Sequence, residues 1–369
     1  MTKNRFKLFY ISVLLLLLAS CTNSSFDKEI EQYDEKLEVL RKEYKIPSVS
    51  VAILHNQEVI FSKGYGYADI ENAIAATDST PYRIASVTKP IASAIILKLI
   101  EEGKLNLDGK IKDYWPGYIE HFDNTKQWFE ENLPQLIGLM SEYDYTRNDI
   151  TLRHHLNHTS EGVPGENFSY SGFLYGRLSM LVDNVSERDF ETRVREDIIQ
   201  SLNMSNSLPM QTDTLKPEIL NRLAKPYYLN MKNEMVLGGY PETSLGAGAG
   251  IISSVIDLAK FDIAFDNNQL ISQKSKELAF TPSRLNNGEQ IPYGLGWFIG
   301  KYKKHKVVYH TGYQPTFSAL YLKVPDKNVT LILLANSKEL YFPFNEWLSK
   351  RQIEGSPFAK EFLDLFITE

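Results

Sequence analysis

The residues best suited to covalent chemistry are a serine and a lysine, Ser86 and Lys89, which open an apolar segment of the chain. Because they are three positions apart, a helix would place both side chains on one face. A serine hydroxyl becomes a nucleophile when a neighbouring group accepts its proton. A lysine amine can accept it once burial and the positive end of a helix favour the neutral amine. The pair therefore indicates nucleophilic catalysis through Ser86.

The element that must position this pair is a helix, which the spacing of apolar residues predicts. Pro90 fits only near the start of a helix, and Gly103 is a typical residue just beyond a helix C-terminus. Residues 25–28 repeat the Ser-x-x-Lys spacing but are interpreted as a solvated linker. The apolar positions of the helix recur every four residues and are Val87, Ile91, Ile95 and Leu99.

The part of the chain before this helix predicts one helix and two strands. Residues 26–44 are charged and amphipathic, with a proline just beyond them, and predict a helix. Residues 49–54 and 58–61 read as strands around a turn, and residues 64–68 as a loop leading to Ser86. Strands followed by a helix that carries a nucleophile indicate an α/β arrangement.

The part after the helix is first helical and then β-rich. Residues 103–245 are mostly helical or irregular, and within them residues 115–148 are read as a surface excursion or an insertion near the substrate cleft. Residues 253–258 read as the start of another helix. Four β-rich runs then predict an antiparallel meander, on which an amphipathic segment over residues 357–367 would pack. The four runs are residues 293–299, 307–310, 317–322 and 329–335.

The overall composition is that of a globular protein. The chain has 369 residues, of which 43% are hydrophobic and 23% charged, enough for one large domain or two ordinary ones. The formal net charge of −6 gives no basic excess, so nucleic acid is not an expected partner. The single cysteine excludes an intramolecular disulfide framework.

The first residues of the chain predict a secretion signal. Lys3, Arg5 and Lys7 form a basic region before an apolar run at residues 11–18, which is too short for a permanent membrane span. Small residues then precede Cys21, and the whole resembles a bacterial lipoprotein signal, although an ordinary signal peptide with an incidental cysteine is the alternative.

The resemblance to a lipoprotein signal implies three things. Residues 1–20 would be removed, Cys21 would carry the lipid, and residues 22–25 would tether the body to a bacterial membrane on its exported side. The mature chain would then hold 37 basic (40 − 3) and 46 acidic residues, a formal charge of −9.

Two further patterns have structural as well as functional interpretations. His154, His155 and His158 include one i, i+4 pair, but no metal-binding motif completes a site, so packed or capping histidines are expected rather than a metal. The glycines of residues 246–250 permit close approach of the backbone but do not by themselves imply a phosphate site. No cofactor is expected.

Three motifs follow one another in the chain: Ser86-x-x-Lys89, the segment 164–171 with Tyr170, and His310-Thr311-Gly312. They resemble those of the serine β-lactamase and penicillin-binding-protein superfamily, in the branch of class C β-lactamases, DD-peptidases and esterases. The resemblance runs from about residue 46 to residue 337. Intervening residues 151–162, 246–258 and 293–298 also resemble family signatures.

The resemblance implies an α/β (α+β) fold and a set of roles. An antiparallel sheet flanked by helices would be built from both chain ends, in a single domain over residues 26–369. The cleft between this lobe and a helical lobe at roughly 104–245 would hold Ser86. Ser86 would form an acyl-enzyme, with Lys89 and Tyr170 handling its proton. The backbone N–H groups of Ser86 and Tyr313 would form the oxyanion hole. A Tyr170 phenolate would need a nearby cation, which Lys89 could supply.

Alternatives remain for two of these residues. Tyr170 lies among other aromatic residues and could simply pack. Tyr228-Leu229-Asn230 fits the family's Tyr-x-Asn spelling better, but its neighbours resemble a later segment, so it is interpreted as a decoy. His310 could be an ordinary strand histidine.

Two departures from the family pattern bear on the substrate. Gly172 stands where an asparagine usually helps hold the lysine and the substrate amide. His310 stands where many β-lactamases have a lysine that attracts the substrate carboxylate. Together with Thr311 and Gly312, these residues are expected at the substrate.

Three functions follow as hypotheses. The first is a hydrolase of esters or short acyl substrates, which Gly172 favours. The second is a DD-peptidase or β-lactamase-like enzyme that acts on cell-wall peptides or their mimics, which surface location and His310-Thr311-Gly312 favour. The third is a non-catalytic binding module. The expected partners are a small ester or a peptidoglycan-derived peptide, and a membrane reached only through the lipid.

Overall fold

A computed structural model of the protein describes residues 26–367 except 211, 213–214, 242–245, 343 and 345–351. The predicted signal, the tether and the lipidation site Cys21 lie outside the described residues and stay predictions. In the described part of the chain, no helix combines the length and the apolar character needed to cross a bilayer.

The described strands form one large sheet and two small ones. The large sheet has the order β3-β2-β1-β11-β10-β9-β8, while β4 pairs with β7 and β5 pairs with β6. All of these pairings are antiparallel. The strands are β1 (Ser48–His55), β2 (Glu58–Asp69), β3 (Ile74–Ala75), β4 (Tyr82–Arg83), β5 (Tyr227–Leu229), β6 (Met235–Leu237), β7 (Ile252–Ser253), β8 (Phe298–Tyr302), β9 (His305–Gln314), β10 (Phe317–Val324) and β11 (Val329–Ala335).

The centre of the large sheet joins the two ends of the chain. Strand β1 pairs with β11, for example Val51 with Leu333, and both strands are apolar and almost entirely buried. A strand buried on both faces reads as a continuous apolar run, which is how these two were found in the sequence. The α/β class, the antiparallel meander and the sheet built from both chain ends are confirmed.

Helices flank this sheet. They are α1 (Asp27–Glu43), α2 (Thr88–Glu101), α3 (Tyr118–Asn132), α4 (Leu152–Leu156), α5 (Gly172–Gly176), α6 (Leu178–Val185), α7 (Phe190–Arg193), α8 (Pro217–Asn221), α9 (Val255–Asp266), α10 (Gln273–Ala279) and α11 (Pro357–Phe366). Shorter 3₁₀ turns include Ala85–Val87, Ile111–Tyr114, Pro134–Met140, Gly246–Gly248, Pro325–Lys327 and Ile353–Gly355, and Val194–Gln200 is a π-helical segment.

Each face of the sheet has its own core. On one face α1 and α11 pack together, with the rings of Tyr33 and Phe362 5.9 Å apart. On the other face α2 and α9 pack in a larger core that also takes in Trp297 and Tyr321. The helices predicted over residues 26–44 and 357–367 are confirmed, and the sheet is covered on both sides.

Three local expectations were wrong. Residues 64–68 are the second half of β2, because Gly64 lets the backbone of Ala76 approach where a Cβ would lie 2.4 Å from its carbonyl carbon. Residues 293–297 precede β8 and are not a strand. Residues 26–28 are not a linker, since α1 begins at Asp27.

The segment 115–148 is more than a surface excursion. It contains α3, and Tyr118, Phe122 and Phe129 of that helix are buried in the larger core. The ring of Phe129 lies 5.7 Å from that of Phe173, the residue after Gly172. The described helices between β4 and β7 agree with a helical region here, while the lobe boundaries at 104 and 245 stay a prediction.

Candidate active site

Ser86 lies on a tight turn directly before α2. The turn is the 3₁₀ segment Ala85–Val87, and Ala85 has φ +48°, a left-handed conformation that is unusual for a residue with a Cβ. Helix α2 follows at Thr88, with Pro90 in its first turn, and it ends before Gly103, which has φ +72°. The helix predicted around the Ser-x-x-Lys pair is confirmed.

Lys89 is fully buried in the first turn of α2, and its amine faces Ser86. The distance from Nζ to Ser86 Oγ is 3.0 Å, and Nζ donates a second hydrogen bond of 2.8 Å to the carbonyl of Gly248. Burial lowers the pKa of Lys89 from 10.5 to about 7. A neutral amine in this position can donate to Gly248 and accept the proton of the Ser86 hydroxyl.

The Gly248 carbonyl reaches Lys89 because the loop carries no side chain at that point. A Cβ on Gly248 would lie 2.6 Å from the carbonyl oxygen of Gly172, too close for any other residue. The close approach predicted for residues 246–250 is therefore confirmed. Gly172 itself is the first residue of α5 and is not among the residues with positive φ.

Tyr170 completes the group around the serine. Its hydroxyl is close enough to Ser86 for the serine to influence the pKa of the phenol, and the centre of its ring is 5.0 Å from Lys89 Nζ. Tyr170 is 40% exposed as a residue, but burial around its hydroxyl raises the pKa of the phenol above its usual 10, and the contact with Ser86 opposes this rise only in part. Tyr170 is therefore a protonated phenol at neutral pH, and the phenolate expected beside a lysine cation is not favoured here.

The third motif lies on β9, which passes beside the Ser86 turn. A Cβ on Gly312 would lie 2.4 Å from the carbonyl oxygen of Ile84, so only glycine lets the strand come this close. Tyr313 is the next residue, which places its backbone next to the Ser86 turn as an oxyanion hole requires. The assignment of the backbone N–H groups of Ser86 and Tyr313 to the oxyanion hole stays a prediction.

His310 is buried behind the site and is engaged with the protein. Its Nδ1 lies 2.7 Å from the carbonyl oxygen of Thr311, and its Nε2 lies 3.0 Å from the hydroxyl of Tyr293. The ring then donates from Nδ1 and accepts at Nε2. Burial, with a smaller contribution from Lys89, lowers the pKa of His310 to about 3, so it supplies no positive charge at neutral pH. Its direct contact with a substrate stays a prediction.

Side chains with no assigned role in the sequence surround these residues. His158 is buried, with its ring 4.4 Å from that of Tyr170. Tyr175 donates a hydrogen bond of 3.3 Å to the Lys89 carbonyl, and Tyr293 holds His310. His158 and Tyr293 fall within stretches that resemble family signatures, which could have indicated them, and Tyr175 lies a helical turn beyond the segment 164–171.

The rim of the site is aromatic. Tyr313 is 41% exposed, and its ring stacks on Tyr341 at 5.2 Å and meets Phe342 at 5.0 Å. The phenol of Tyr341 is close enough to Tyr170 to contribute to the rise of its pKa. Tyr228, the decoy, lies in the β5–β6 hairpin.

The histidines of the 151–158 segment cap or pack, as expected. His154 forms a capping box with Thr151 at the start of α4. His155 is buried, with its Nε2 2.7 Å from the hydroxyl of Tyr143. Among the described residues, no cluster of three or more His, Cys, Asp or Glu side chains could hold a metal ion.

A serine on a helix-leading turn, a buried lysine at its hydroxyl and a tyrosine beside both, held next to an antiparallel sheet, support the class of serine hydrolases. A family model described as Beta-lactamase matches residues 26–351. The chain therefore belongs to the Beta-lactamase family.

Similar proteins agree with this family. The chain is 28% identical over 333 residues to Protein flp of Staphylococcus aureus strain MW2, which covers 85% of this chain and 64% of that protein. It is 27% identical over 300 residues to Penicillin-binding protein 4* of Bacillus subtilis strain 168, covering 76% of this chain and 66% of that protein. The chain thus spans about two thirds of the length of these relatives.

Solved structures share the fold. A penicillin-binding protein homologue from Pyrococcus abyssi, described as octameric, superposes with a TM-score of 0.69 at 22% identity, covering 90% of this chain and 80% of its own. The D-amino acid amidase of Ochrobactrum anthropi SV3 superposes with a TM-score of 0.68 at 18% identity, covering 92% and 98%. At these identities the likeness concerns the fold alone.

Proposed function

We propose that the protein is a serine hydrolase that cleaves an amide or ester bond through an acyl-enzyme on Ser86. The observation that carries this proposal is the buried Lys89 amine, 3.0 Å from the Ser86 hydroxyl and with a pKa lowered to about 7. Near neutral pH a large fraction of this amine is unprotonated and accepts the hydroxyl proton as Ser86 attacks a carbonyl.

Tyr170 acts as the proton donor in this scheme. Its raised pKa keeps the phenol protonated, and its closeness to Ser86 supports a role in proton transfer at the reacting oxygen. The phenol gives its proton to the leaving group as the acyl-enzyme forms and is reprotonated from Lys89. Water then attacks the acyl-enzyme in the reverse order of proton transfers. The N–H groups of Ser86 and Tyr313 would stabilise the oxyanion in both steps.

The substrate class we propose is an ester or a D-amino-acid amide of the cell-wall type. The names of two similar proteins, a penicillin-binding protein and a D-amino acid amidase, support the amide. Gly172 lacks the side-chain amide of the asparagine that usually binds a substrate amide at this position in the family, and this supports the ester. β-Lactam hydrolysis ranks second to these substrates. A β-lactam carries a carboxylate, and the neutral His310 offers it no positive charge. Lipid anchoring at Cys21, on the exported side of a bacterial membrane, is part of the proposal.

The aromatic rim favours substrates with an apolar group next to the scissile bond. The rings of Tyr313, Tyr341 and Phe342 contact one another beside Gly312 and are large apolar surfaces at low entropic cost to order. A phenylacetyl nitrophenyl ester should therefore react faster than an acetyl ester, and Tyr341→Ala should reduce this preference. An unchanged ratio of the two rates would remove the rim from substrate binding.

A labelling experiment tests the proposed function. A fluorescent fluorophosphonate should label the wild-type protein covalently and should not label Ser86→Ala, while Ser93→Ala, the next serine along the chain, serves as the matched control. Wild-type protein should then be assayed with nitrophenyl esters, a D-Ala-D-Ala peptide and a chromogenic cephalosporin. Labelling that survives Ser86→Ala would place the nucleophile elsewhere. Absence of labelling and turnover in the wild type would favour a non-catalytic binding module.

A further inference from the structure

His158 holds the main chain on both sides of Tyr170. The backbone N–H of Ser169 donates a 2.9 Å hydrogen bond to the carbonyl of His158, and the N–H of Ser171 donates a 3.2 Å hydrogen bond to its Nδ1. The rings of His158 and Tyr170 pack at 4.4 Å. A single residue therefore contacts the tyrosine and both of its neighbours.

The hydrogen bond to Nδ1 fixes the state of the imidazole. Because Nδ1 accepts, the proton of the neutral ring is on Nε2. Burial, followed by the nearby Lys89 and His310, lowers the pKa of His158 well below 6.5, so the ring is neutral at physiological pH. It is thus an acceptor at Nδ1 throughout the pH range in which Lys89 titrates.

Two features of His158 are unfavourable for stability. The side chain is only 2% exposed, yet its Nε2 has no hydrogen-bond partner among the described residues. Its backbone has φ +59°, in the left-handed region. A buried donor without a partner and a left-handed backbone both destabilise a fold, and such features are concentrated at functional sites. Stability alone therefore does not account for this residue.

We propose that His158 is a positioning residue for Tyr170: its carbonyl and Nδ1 fix the chain at Ser169 and Ser171 so that the Tyr170 hydroxyl reaches Ser86. This inference rests on the proposed function, because it assigns Tyr170 a part in the reaction at Ser86. It adds a residue that acts through Tyr170 and transfers no proton itself.

Three substitutions separate the acceptor from the ring and from the backbone strain. His158→Asn places an amide oxygen at the same number of bonds from the backbone as Nδ1, and asparagine accepts positive φ well. His158→Leu has the same branching but no acceptor. His158→Gly also lacks the acceptor but adopts φ +59° without strain. The N–H of Ser171 keeps its partner only in the first variant.

The rate of fluorophosphonate labelling at Ser86 is the first measurement. His158→Asn should label within about threefold of the wild type, and His158→Leu and His158→Gly at least about tenfold more slowly than His158→Asn, as a misplaced catalytic group predicts. Thermal unfolding is recorded for each. Equal labelling rates in all four proteins would overturn the inference while leaving Ser86 as nucleophile. Labelling rates that fall in parallel with the melting temperature, and no faster labelling of His158→Asn than of the other two variants, would also overturn it.

Hydrogen–deuterium exchange tests the contact without relying on activity. The peptide that carries residues 169–172 should exchange slowly in the wild type and in His158→Asn, and faster in His158→Leu and His158→Gly. If the wild type does not react with the probe, the proposed function fails while this exchange pattern still decides whether His158 holds the Tyr170 segment. The same exchange in all four proteins would show that it does not.

Discussion

Lys89 owes its chemistry to the removal of water from its amine. An exposed lysine is almost fully protonated at neutral pH and is a poor base, but burial disfavours its charge and brings its pKa to about 7. The hydroxyl of Tyr170, which is shielded from water beside the same serine, has its pKa shifted in the opposite direction and keeps its proton. One environment therefore separates a base from an acid.

The rate of Ser86 acylation should rise with pH and level off above a pKa near 7. Below that value Lys89 is protonated and cannot accept the serine proton, and above it the amine is free. Lys89→Met should lower the rate by at least about a hundredfold and abolish the rise. Burst kinetics with a nitrophenyl ester between pH 5.5 and 9 measure both effects. A rise that persists in Lys89→Met would assign the titration to another group.

The same shift predicts how stability depends on pH. The pKa of Lys89 is lowered on folding, from 10.5 to about 7, so between these values the unfolded chain binds more protons at this position than the folded one. The free energy of unfolding of the wild type should therefore rise with pH relative to Lys89→Met, by at most about 1.4 kcal/mol per pH unit. Urea unfolding of both proteins at pH 7 and pH 9 measures the difference. A constant difference would contradict a buried, titrating lysine.

Gly172→Asn tests why amides should be poorer substrates than esters. If the missing asparagine amide is the reason, restoring it should raise the rate on a peptide or cephalosporin relative to an ester. A recovered hydrogen bond is worth about 0.5–1.5 kcal/mol, which shifts the ratio roughly two- to tenfold. Gly172 begins α5 without a positive φ, so the backbone itself admits asparagine.

Ester turnover is the internal control for Gly172→Asn. If ester turnover falls together with the amide rate, the added side chain has damaged the site, for example by crowding Lys89. If ester turnover is kept and the ratio stays constant, position 172 does not determine amide recognition, and the proposal for its role is wrong.

At the scale of elements, the site depends on glycines that let backbones meet. Gly312 on β9 approaches the Ser86 turn, and Gly248 approaches Gly172 while its carbonyl holds Lys89. Neither position needs glycine for a positive φ, since neither is among the residues with one. Glycine is required at both positions because a side chain would clash with the neighbouring backbone, and a pattern of hydrophobic residues does not reveal such a requirement.

Gly312→Ala should therefore displace β9 from the Ser86 turn. The added Cβ would lie 2.4 Å from the Ile84 carbonyl oxygen, so strand and turn must separate. Since Tyr313 follows directly, the labelling rate of Ser86 should fall by at least about tenfold, as loss of an oxyanion donor predicts. Gly138→Ala is the matched control, because a Cβ there meets nothing within 4 Å. A Gly312→Ala variant that labels like Gly138→Ala would contradict this account of β9.

The sequence predicted elements better than contacts. Apolar runs located β1, β10 and β11, and a four-residue interval located α2 and so placed Lys89 next to Ser86. The second half of β2 is rich in glycine, shows no apolar alternation and was missed. Residues 293–297 have a strand-like composition but form no strand, and Tyr293 instead hydrogen-bonds to His310. The role of His158 could not be predicted, because its contacts join segments that only the fold brings together.

At the scale of the whole molecule, the two ends of the described chain close the sheet on the face away from Ser86. Helix α1 comes from the N-terminal part and α11 from the C-terminal part, and the Tyr33 hydroxyl donates a 3.1 Å hydrogen bond to the Phe358 carbonyl. The buried residues of this core include none of Ser86, Lys89 and Tyr170, and of the aromatic rim Tyr341 packs against it. Substitutions in this core are therefore expected to lower the free energy of unfolding without changing the reaction at Ser86 on the other face of the sheet.

Phe362→Ala tests this separation. Phe362 is fully buried against Tyr33 and Phe366, so truncation should lower the free energy of unfolding by about 3–5 kcal/mol. Tyr33→Phe is the milder companion, because it removes only the hydrogen bond to Phe358 and should cost about 0.5–1.5 kcal/mol. Urea unfolding measures both losses. At a temperature where each variant is folded, the labelling rate of Ser86 should equal that of the wild type within about twofold, because the sheet itself is kept and a new cavity on one face leaves the opposite face in place. A labelling rate that falls in step with the loss of stability would show that the two faces are coupled, and that the outer helices help to hold the Ser86 turn against β9.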